Sequence, residues 1–266
     1  MAQKGFEYEE NAYAALRKYD ISTGGTAGAS HDKPDLTIQA KGKTTGVELK
    51  NAPTAAGSLV MKYYNGKWDY GAYKGEIEKE FIHDMAEAKN LLRTMNISGK
   101  DGVNWRGKIP HLQNDKNGKK IYVPPALSSN KRKSYAQDIE KFGGRNEVHI
   151  EISATMIAQY YIKKKCSYIN VGTHGFFTLN GKDDLGLNKI LEKNELPLIP
   201  DFTNNAQARI RVRCQPKGGG DYQFVTTMEF SGVTKSIYNL APLRRGSKSD
   251  IDLAALKKDN ILLAFK

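Results

Sequence analysis

Apolar and polar positions alternate with two different periods in the first fifty residues. Phe6, Glu9, Tyr13 and Leu16 recur at spacings of three and four, which predicts an amphipathic helix over 4–19. That spacing sets Glu9 on the inward stripe and Glu7 and Glu10 toward its flanks. A carboxylate on a buried stripe needs a partner; either Glu9 faces a charged site, with Glu10 in reserve, or the helix ends elsewhere and Glu9 is exposed. Residues 22–33 are small, polar and glycine-rich, a loop that either lets a polyanion approach or simply connects. Two short strands follow, Pro34-Asp35-Leu36-Thr37-Ile38 and Gly46-Val47-Glu48-Leu49-Lys50, joined by a turn at Lys41-Gly42-Lys43. Period two turns Glu48 and Lys50 to one face and Val47 and Leu49 to the other.

Further along, Ile77, Phe81, Met85, Ala88, Leu92 and Met95 predict a core helix over 76–95. Before it, Met61 to Lys74 interleaves aromatics with Lys and Gly, which suits base stacking or an ordinary strand pair equally. Residues 98–133 are rich in Gly, Asn, Lys and Pro: arms around a ligand, or a solvated insertion. A short helix is expected over 133–142. A helix from Ile150 to Lys164 and strands at 167–171 and 175–179 would complete a small α/β core begun by the Asp35 hairpin, making 56–145 an insertion. The sharp alternation of Ala208 to Arg213, answered by Tyr222 to Phe230, predicts a hairpin over 206–233, with Arg209, Arg211 and Arg213 on one face. A capped helix is expected over 252–258. The expected domains are therefore 1–180 and a β-rich 181–266.

The chain has 266 residues, 39% hydrophobic and 26% charged, in the range of a globular protein. No apolar run approaches the ~20 residues that span a bilayer, the first residues carry no secretory pattern, and Cys166 and Cys214 cannot build a disulfide framework. A cytoplasmic protein with reduced thiols and no membrane partner is the expectation. The net charge of +12, from 41 Lys+Arg against 29 Asp+Glu, is clustered at 116–120, 131–133, 163–165, 209–213 and 244–245. Such clusters are the footprint of phosphate neutralisation, although a solvated surface explains a basic excess too. Ser30, His31, Lys33, Lys131, Arg132, Lys133, Arg209, Arg211 and Arg213 are the candidate nucleic-acid contacts. No phosphate-binding P-loop, nucleophile elbow or zinc-protease motif occurs, and the five histidines are scattered.

Pro34-Asp35, a short strand, a turn and Glu48-Leu49-Lys50 resemble the PD-(D/E)xK nuclease superfamily, which includes restriction endonucleases, Holliday-junction resolvases and phage exonucleases. Lys4-Gly5, Glu9, Leu16 and the Gly/Ser loop before Asp35 are similar to its resolvase-like branch. The resemblance covers residues 4–51. It implies a restriction endonuclease-like α/β core, a mixed sheet flanked by helices, here with a large insertion and a β-rich C-terminal part. It also implies metal-dependent hydrolysis of DNA phosphodiesters. Mg²⁺, for which Mn²⁺ can substitute, would take Asp35, Glu48 and the Leu49 carbonyl, since hard cations prefer oxygen ligands. Lys50 would be the catalytic cation and Glu9 would hold a second metal or orient water. The expected partner is double-stranded DNA, bound by a possible homodimer. A resolvase or exonuclease is the alternative within the class. A non-catalytic DNA-binding protein, its trio a hairpin salt bridge, is the alternative outside it.

Overall fold

The computed structural model describes residues 2–24, 32–53, 55–64, 67–69, 77, 81–82, 111–114, 120–123, 147–218 and 221–265. Its elements in chain order are α1 (Ala2–Arg17), β1 (Ser22–Gly24), β2 (Leu36–Ala40), β3 (Lys43–Lys50), β4 (Ala55–Tyr64), β5 (Lys67–Asp69), β6 (His111–Asn114), β7 (Lys120–Val123) and β8 (Glu147–Ile152). Then come α2 (Ala154–Lys163), β9 (Cys166–Val171), β10 (Gly175–Thr178), α3 (Leu187–Lys193), β11 (Gln207–Gly218), β12 (Asp221–Ser231), α4 (Leu253–Lys258) and α5 (Ile261–Phe265). They fall into two compact units. One comprises Met1–Thr54, Ile152–Ala208 and Phe230–Lys266, and the other Ala55–Glu151 with Arg209–Glu229.

The first unit is α/β, built on a mixed sheet in the order β1-β2-β3-β9-β10. β2 and β3 form a hairpin whose two-residue turn has Lys41 at φ 50° and Gly42 at φ 74°. Positive φ at both central positions is the turn whose twist matches that of the flanking strands, and glycine takes it without the Cβ penalty. β3 runs parallel to β9, and parallel neighbours need a crossover. Here the crossover ends in α2, as the alternation of the segments around 150–171 predicts. β10 then returns antiparallel to β9.

β9 is buried along its whole length, as befits a central strand covered on both faces. On one face Val47, Leu49, Tyr168 and Phe176 pack in one cluster with Tyr8, Ala12, Ala15 and Leu16 of α1. Tyr168 and Phe176 stack there at 5.0 Å. The same cluster takes in Leu187 and Leu191 of α3, Leu240 and Ala241 of an extended strap, Leu256 of α4, and Ile261 and Phe265 of α5. On the other face Phe177 meets Phe202 edge-on at 6.5 Å, and α2 buries Ile157, Tyr160 and Tyr161.

Three expectations change. The buried stripe of α1 is Tyr8-Ala12-Ala15-Leu16 rather than Phe6-Glu9-Tyr13-Leu16: Phe6 is exposed, and Glu9 sits half-buried on the edge of the stripe. That stripe mixes two large residues, Tyr8 and Leu16, with two small ones, Ala12 and Ala15. Next, α2 starts after Ile152, not at Ile150. Ser153 is extended (φ −71°, ψ 138°) and its Oγ accepts from the Thr155 N–H, capping the helix there. Last, residues 181–266 are not one β-rich part. Their strands β11 and β12 are β, but α3, α4, α5 and the strap complete the core of the first unit, because their apolar residues have the α1 face of the sheet to cover.

The second unit carries a sheet in the order β5-β4-β12-β11-β8, and β6 pairs with β7 by itself. Within the stretch 61–74, for which stacking and strand pairing are both open in the sequence, residues 62–64 pair with 67–69 as strands, Tyr63 opposite Trp68. The helices expected over 76–95 and 133–142 lie almost wholly outside the described residues. Among the described residues no helix is long and apolar enough to cross a membrane.

Candidate functional site

Asp35 stands one residue before β2, and Glu48 and Lys50 lie near the C-terminal end of β3. The three converge. Gly46 makes this possible: a Cβ there would lie 2.6 Å from both the Lys165 carbonyl oxygen and Pro34 Cβ. Its absence lets Pro34-Asp35 lie directly against β3. Asp35 Oδ2 then accepts from the Leu49 N–H at 2.9 Å and stands 3.8 Å from Lys50 Nζ. Lys50 Nζ donates to Glu48 Oε1 at 2.6 Å.

A fourth residue completes the cluster. Lys164, the C-cap of α2, donates from Nζ to Glu48 Oε2 at 2.8 Å. The two oxygens of Glu48 are therefore held by two ammonium groups. Both cations also face aromatic rings: Lys50 Nζ lies 5.7 Å from the Tyr161 ring centre, and Lys164 Nζ lies 5.6 Å from Tyr161 and 5.8 Å from Tyr160. Cys166 Sγ stands 4.0 Å from Glu48 Oε2. Glu48 is 1% exposed, Lys164 5% and Asp35 8%. This is a buried charge cluster, not a surface salt bridge.

Burial and charge set the protonation states. Burial pushes Glu48 up, but Lys50 and Lys164 outweigh it and hold the carboxyl below its ordinary value. Burial pulls Lys50 down, yet Glu48, Tyr161 and Asp35 leave it well above its ordinary value, so it stays charged. Lys164 is raised too, with burial opposing and Glu48 dominating the gain. Asp35 is pushed up to about 6 by burial and next by the Glu48 charge. Glu9 reaches about 8, first through burial and then through Asp35. Glu9 thus senses the site from the edge of α1. Burial also raises the Tyr161 hydroxyl and the Cys166 thiol, which stay neutral.

The donor set decides what the cluster can hold. Among the described residues no group of three or more His, Cys, Asp and Glu side chains converges as a metal cage. Asp35 and Glu48 offer hard oxygens, and the Leu49 N–H is bonded to Asp35. Gly46 N–H donates to the Lys165 carbonyl and Gly172 N–H to the Lys50 carbonyl, so the backbone groups of these β3 residues face β9. The Leu49 N–H between them faces Asp35 instead. Carboxylate oxygens suit Mg²⁺, which keeps several waters and shares its shell with substrate phosphate, better than a soft or imidazole-seeking metal, and an ion here would share Glu48 with the Lys50 and Lys164 ammonium groups.

The predicted nucleic-acid contacts divide. Lys33 is exposed, two residues before Asp35. Ser30, His31, Lys131, Arg132 and Lys133 lie outside the described residues. Arg209 and Arg211 do share a face of β11, but Glu229 on β12 bridges them, at 2.8 Å to Arg209 Nε and 2.8 Å to Arg211 Nη2. That ribbon is less basic than its sequence, since the compensating acid comes from the partner strand. Arg213 lies on the same strand, part-buried.

Sequence reasoning missed Lys164, Tyr161 and Cys166. Lys164 is the middle of Lys163-Lys164-Lys165, read as a basic surface cluster, and nothing in a triple lysine says which one turns inward. The signal was positional: a helix leading into the strand beside Glu48 must end close to that carboxylate.

Comparison with family models, with curated proteins and with solved structures returned no match to this chain.

Proposed function

We propose that this chain is a Mg²⁺-dependent deoxyribonuclease of the PD-(D/E)xK type, hydrolysing DNA phosphodiesters on a restriction endonuclease-like core. The observation that carries the reading is the convergence of Asp35, Glu48 and Lys50 at the end of β3, with Lys50 Nζ 2.6 Å from Glu48 and 3.8 Å from Asp35. The flanking architecture is compatible with it: a hairpin carrying the acids, a parallel neighbour, and helices on both faces of a mixed sheet.

Asp35, Glu48 and the Leu49 carbonyl would hold the ion, and Glu9, coupled to Asp35 through its charge, would orient water or support a second one. A bound divalent ion supplies an activated water and offsets charge on the phosphate. The chain's own residues do the rest. Lys50 is held charged by its acidic neighbours, so it acts as a fixed cation rather than a base: it orients the attacking water and meets negative charge building on the phosphate oxygens. Lys164 keeps Glu48 ionised and fixed in place. Tyr161 closes the apolar side and excludes bulk water, which strengthens each of these charge interactions.

Within this class, a resolvase or exonuclease would share the site, and a duplex-cutting enzyme would act as a dimer. A second reading, a DNA-binding module without catalysis, is favoured by the direct Lys50–Glu48 pair, which is also what a purely structural ion cluster would make. Incubating plasmid with Mg²⁺, then with EDTA, for wild type and Lys50→Ala separates them. Cleavage that needs Mg²⁺ and drops by about 100-fold or more in Lys50→Ala supports the enzyme. Salt-sensitive binding with no cleavage supports the module.

A further inference from the structure

Residues 243–251 form a closed loop at the end of β3. Leu243 and Ile251 pair as a bridge, the Arg244 N–H donates to the Asp250 carbonyl at 2.9 Å, and the Ser247 N–H donates back to the Arg244 carbonyl at 2.9 Å. Ser247 Oγ accepts from the Ser249 and Asp250 N–H groups. The loop shapes itself.

It is also clamped to the site. Asn51, the residue after Lys50, donates from Nδ2 to the Lys248 carbonyl at 3.2 Å. Asn11, on the helix that carries Glu9, donates from Nδ2 to the Ser249 carbonyl at 3.1 Å. At the base of the loop the Leu243 N–H donates to the Gly172 carbonyl, whose own N–H donates to the Lys50 carbonyl. Tyr8 Oη donates to the Ala241 carbonyl at 2.8 Å, fixing the strap that leads in. Each tether uses a residue within three positions of Glu9 or Lys50, or the peptide hydrogen-bonded to Lys50.

The cargo of this loop is charge. Arg244, Arg245 and Lys248 are exposed, and among the described residues no acid pairs with any of them. Asp250 is the loop's one acid, and it too makes no ion pair among the described residues. Pinning a loop this tightly costs conformational entropy, and the hydrogen bonds above meet that cost without involving the three cations. The cations are exposed on a hydrogen-bonded loop tethered beside a site that would act on phosphate.

We propose that the Arg244–Asp250 loop is a DNA phosphate-binding element that grips the backbone next to the scissile position, through Arg244, Arg245 and Lys248. This rests on reading the neighbouring cluster as a DNA-cleaving site. Arginine takes phosphate with a planar fork and lysine as a point charge, so the three contact backbone rather than read bases. The recognition is sequence-independent and falls with salt.

The test uses the full chain and a fluorescent duplex of random sequence in EDTA, where cleavage cannot interfere. Anisotropy between about 50 and 200 mM salt gives affinity and the slope of log K against log salt. The Arg244→Ala/Arg245→Ala/Lys248→Ala variant is expected to bind more weakly throughout, with the slope reduced by about 2 to 3. Asn11→Ala/Asn51→Ala keeps every charge and unclamps the loop. It is expected to weaken binding at each salt concentration while leaving the slope near that of wild type. Circular dichroism melts confirm that both variants fold. Wild-type affinity and slope in the triple variant overturn the proposal. Plasmid cleavage in Mg²⁺ is scored separately: a reduced slope with no wild-type cleavage leaves the loop assignment standing and removes the nuclease reading. Cleavage with an unchanged slope does the reverse.

Discussion

Lys164 Nζ and Glu48 Oε2 meet at 2.8 Å from positions 116 residues apart, and this contact joins α2 to β3 at the centre of the charge cluster. Between them they close the parallel crossover: Lys164 ends the helix, and two residues later β9 begins beside the strand that carries Glu48. Glu48 keeps Lys50 as its other partner, so Lys164 both links two elements and balances charge.

Removing that ammonium group should therefore cost stability. Lys164→Met retains the apolar stem against Tyr160 and Tyr161 but leaves Glu48 with one cation, and a loss of about 3 kcal/mol is expected. Urea denaturation measures it. In a double-mutant cycle with Glu48→Gln the two losses should fall short of additive by about 1–3 kcal/mol. Additive losses would mean that the contact carries no coupling.

Gly46→Ala tests how Asp35 is placed. The new Cβ meets the Lys165 carbonyl and Pro34 at 2.6 Å, so either β9 or the Pro34-Asp35 segment must shift. Overpacking of this kind costs about 1–3 kcal/mol. Because Asp35 depends on that approach for its bond to the Leu49 N–H, cleavage should fall further than stability. A variant with full activity and a wild-type melting curve would show that the close approach is not needed.

Asp259 gives a pH signature away from the site. It accepts from the Asn239 and Ile261 N–H groups, but burial dominates and pushes its carboxyl up to about 6. A raised carboxyl means the folded chain binds the proton more tightly than the unfolded one. Its contribution is fully present below about pH 4 and is lost as pH rises through 6, about 3 kcal/mol at most. Asp259→Asn should lessen the fall in melting temperature between pH 4 and pH 7. An unchanged profile would assign the fall to other carboxyls.

The Arg209 and Arg211 guanidinium groups are already engaged by Glu229. Arg209→Ala should thus change the salt slope of DNA binding by well under the ~1 expected for a lysine or arginine that contacts phosphate. Anisotropy measures it directly. A drop of a full unit would show that the ribbon touches DNA despite the pairing.

How much of this was legible follows from the range over which each signal acts. The Asp35 hairpin, its turn at Lys41-Gly42 and the pair Glu48/Lys50 follow from period-two alternation and turn chemistry, both local. The α2–β9 crossover follows from a helical stretch ending just before an apolar one. The α1 stripe was misplaced by one residue, because Phe6 and Tyr13 look like core by type while the packing selects Ala12 and Ala15 by size. Lys164 on Glu48, Glu229 across Arg209 and Arg211, and the Asn11 and Asn51 clamps are all long-range pairings. Hydrophobic pattern carries no information about those, since each is set by where the elements meet.

The central claim is that Asp35 and Glu48 act together on a divalent ion beside Lys50. Asp35→Asn tests it most directly, because the substitution removes the charge and keeps the shape. Rates of supercoiled plasmid cleavage across a Mg²⁺ titration should show EDTA-sensitive cutting by wild type and a loss of about 100-fold or more in Asp35→Asn, with the fold intact by circular dichroism. Wild-type rates in Asp35→Asn, or cleavage that persists in EDTA, would contradict the account.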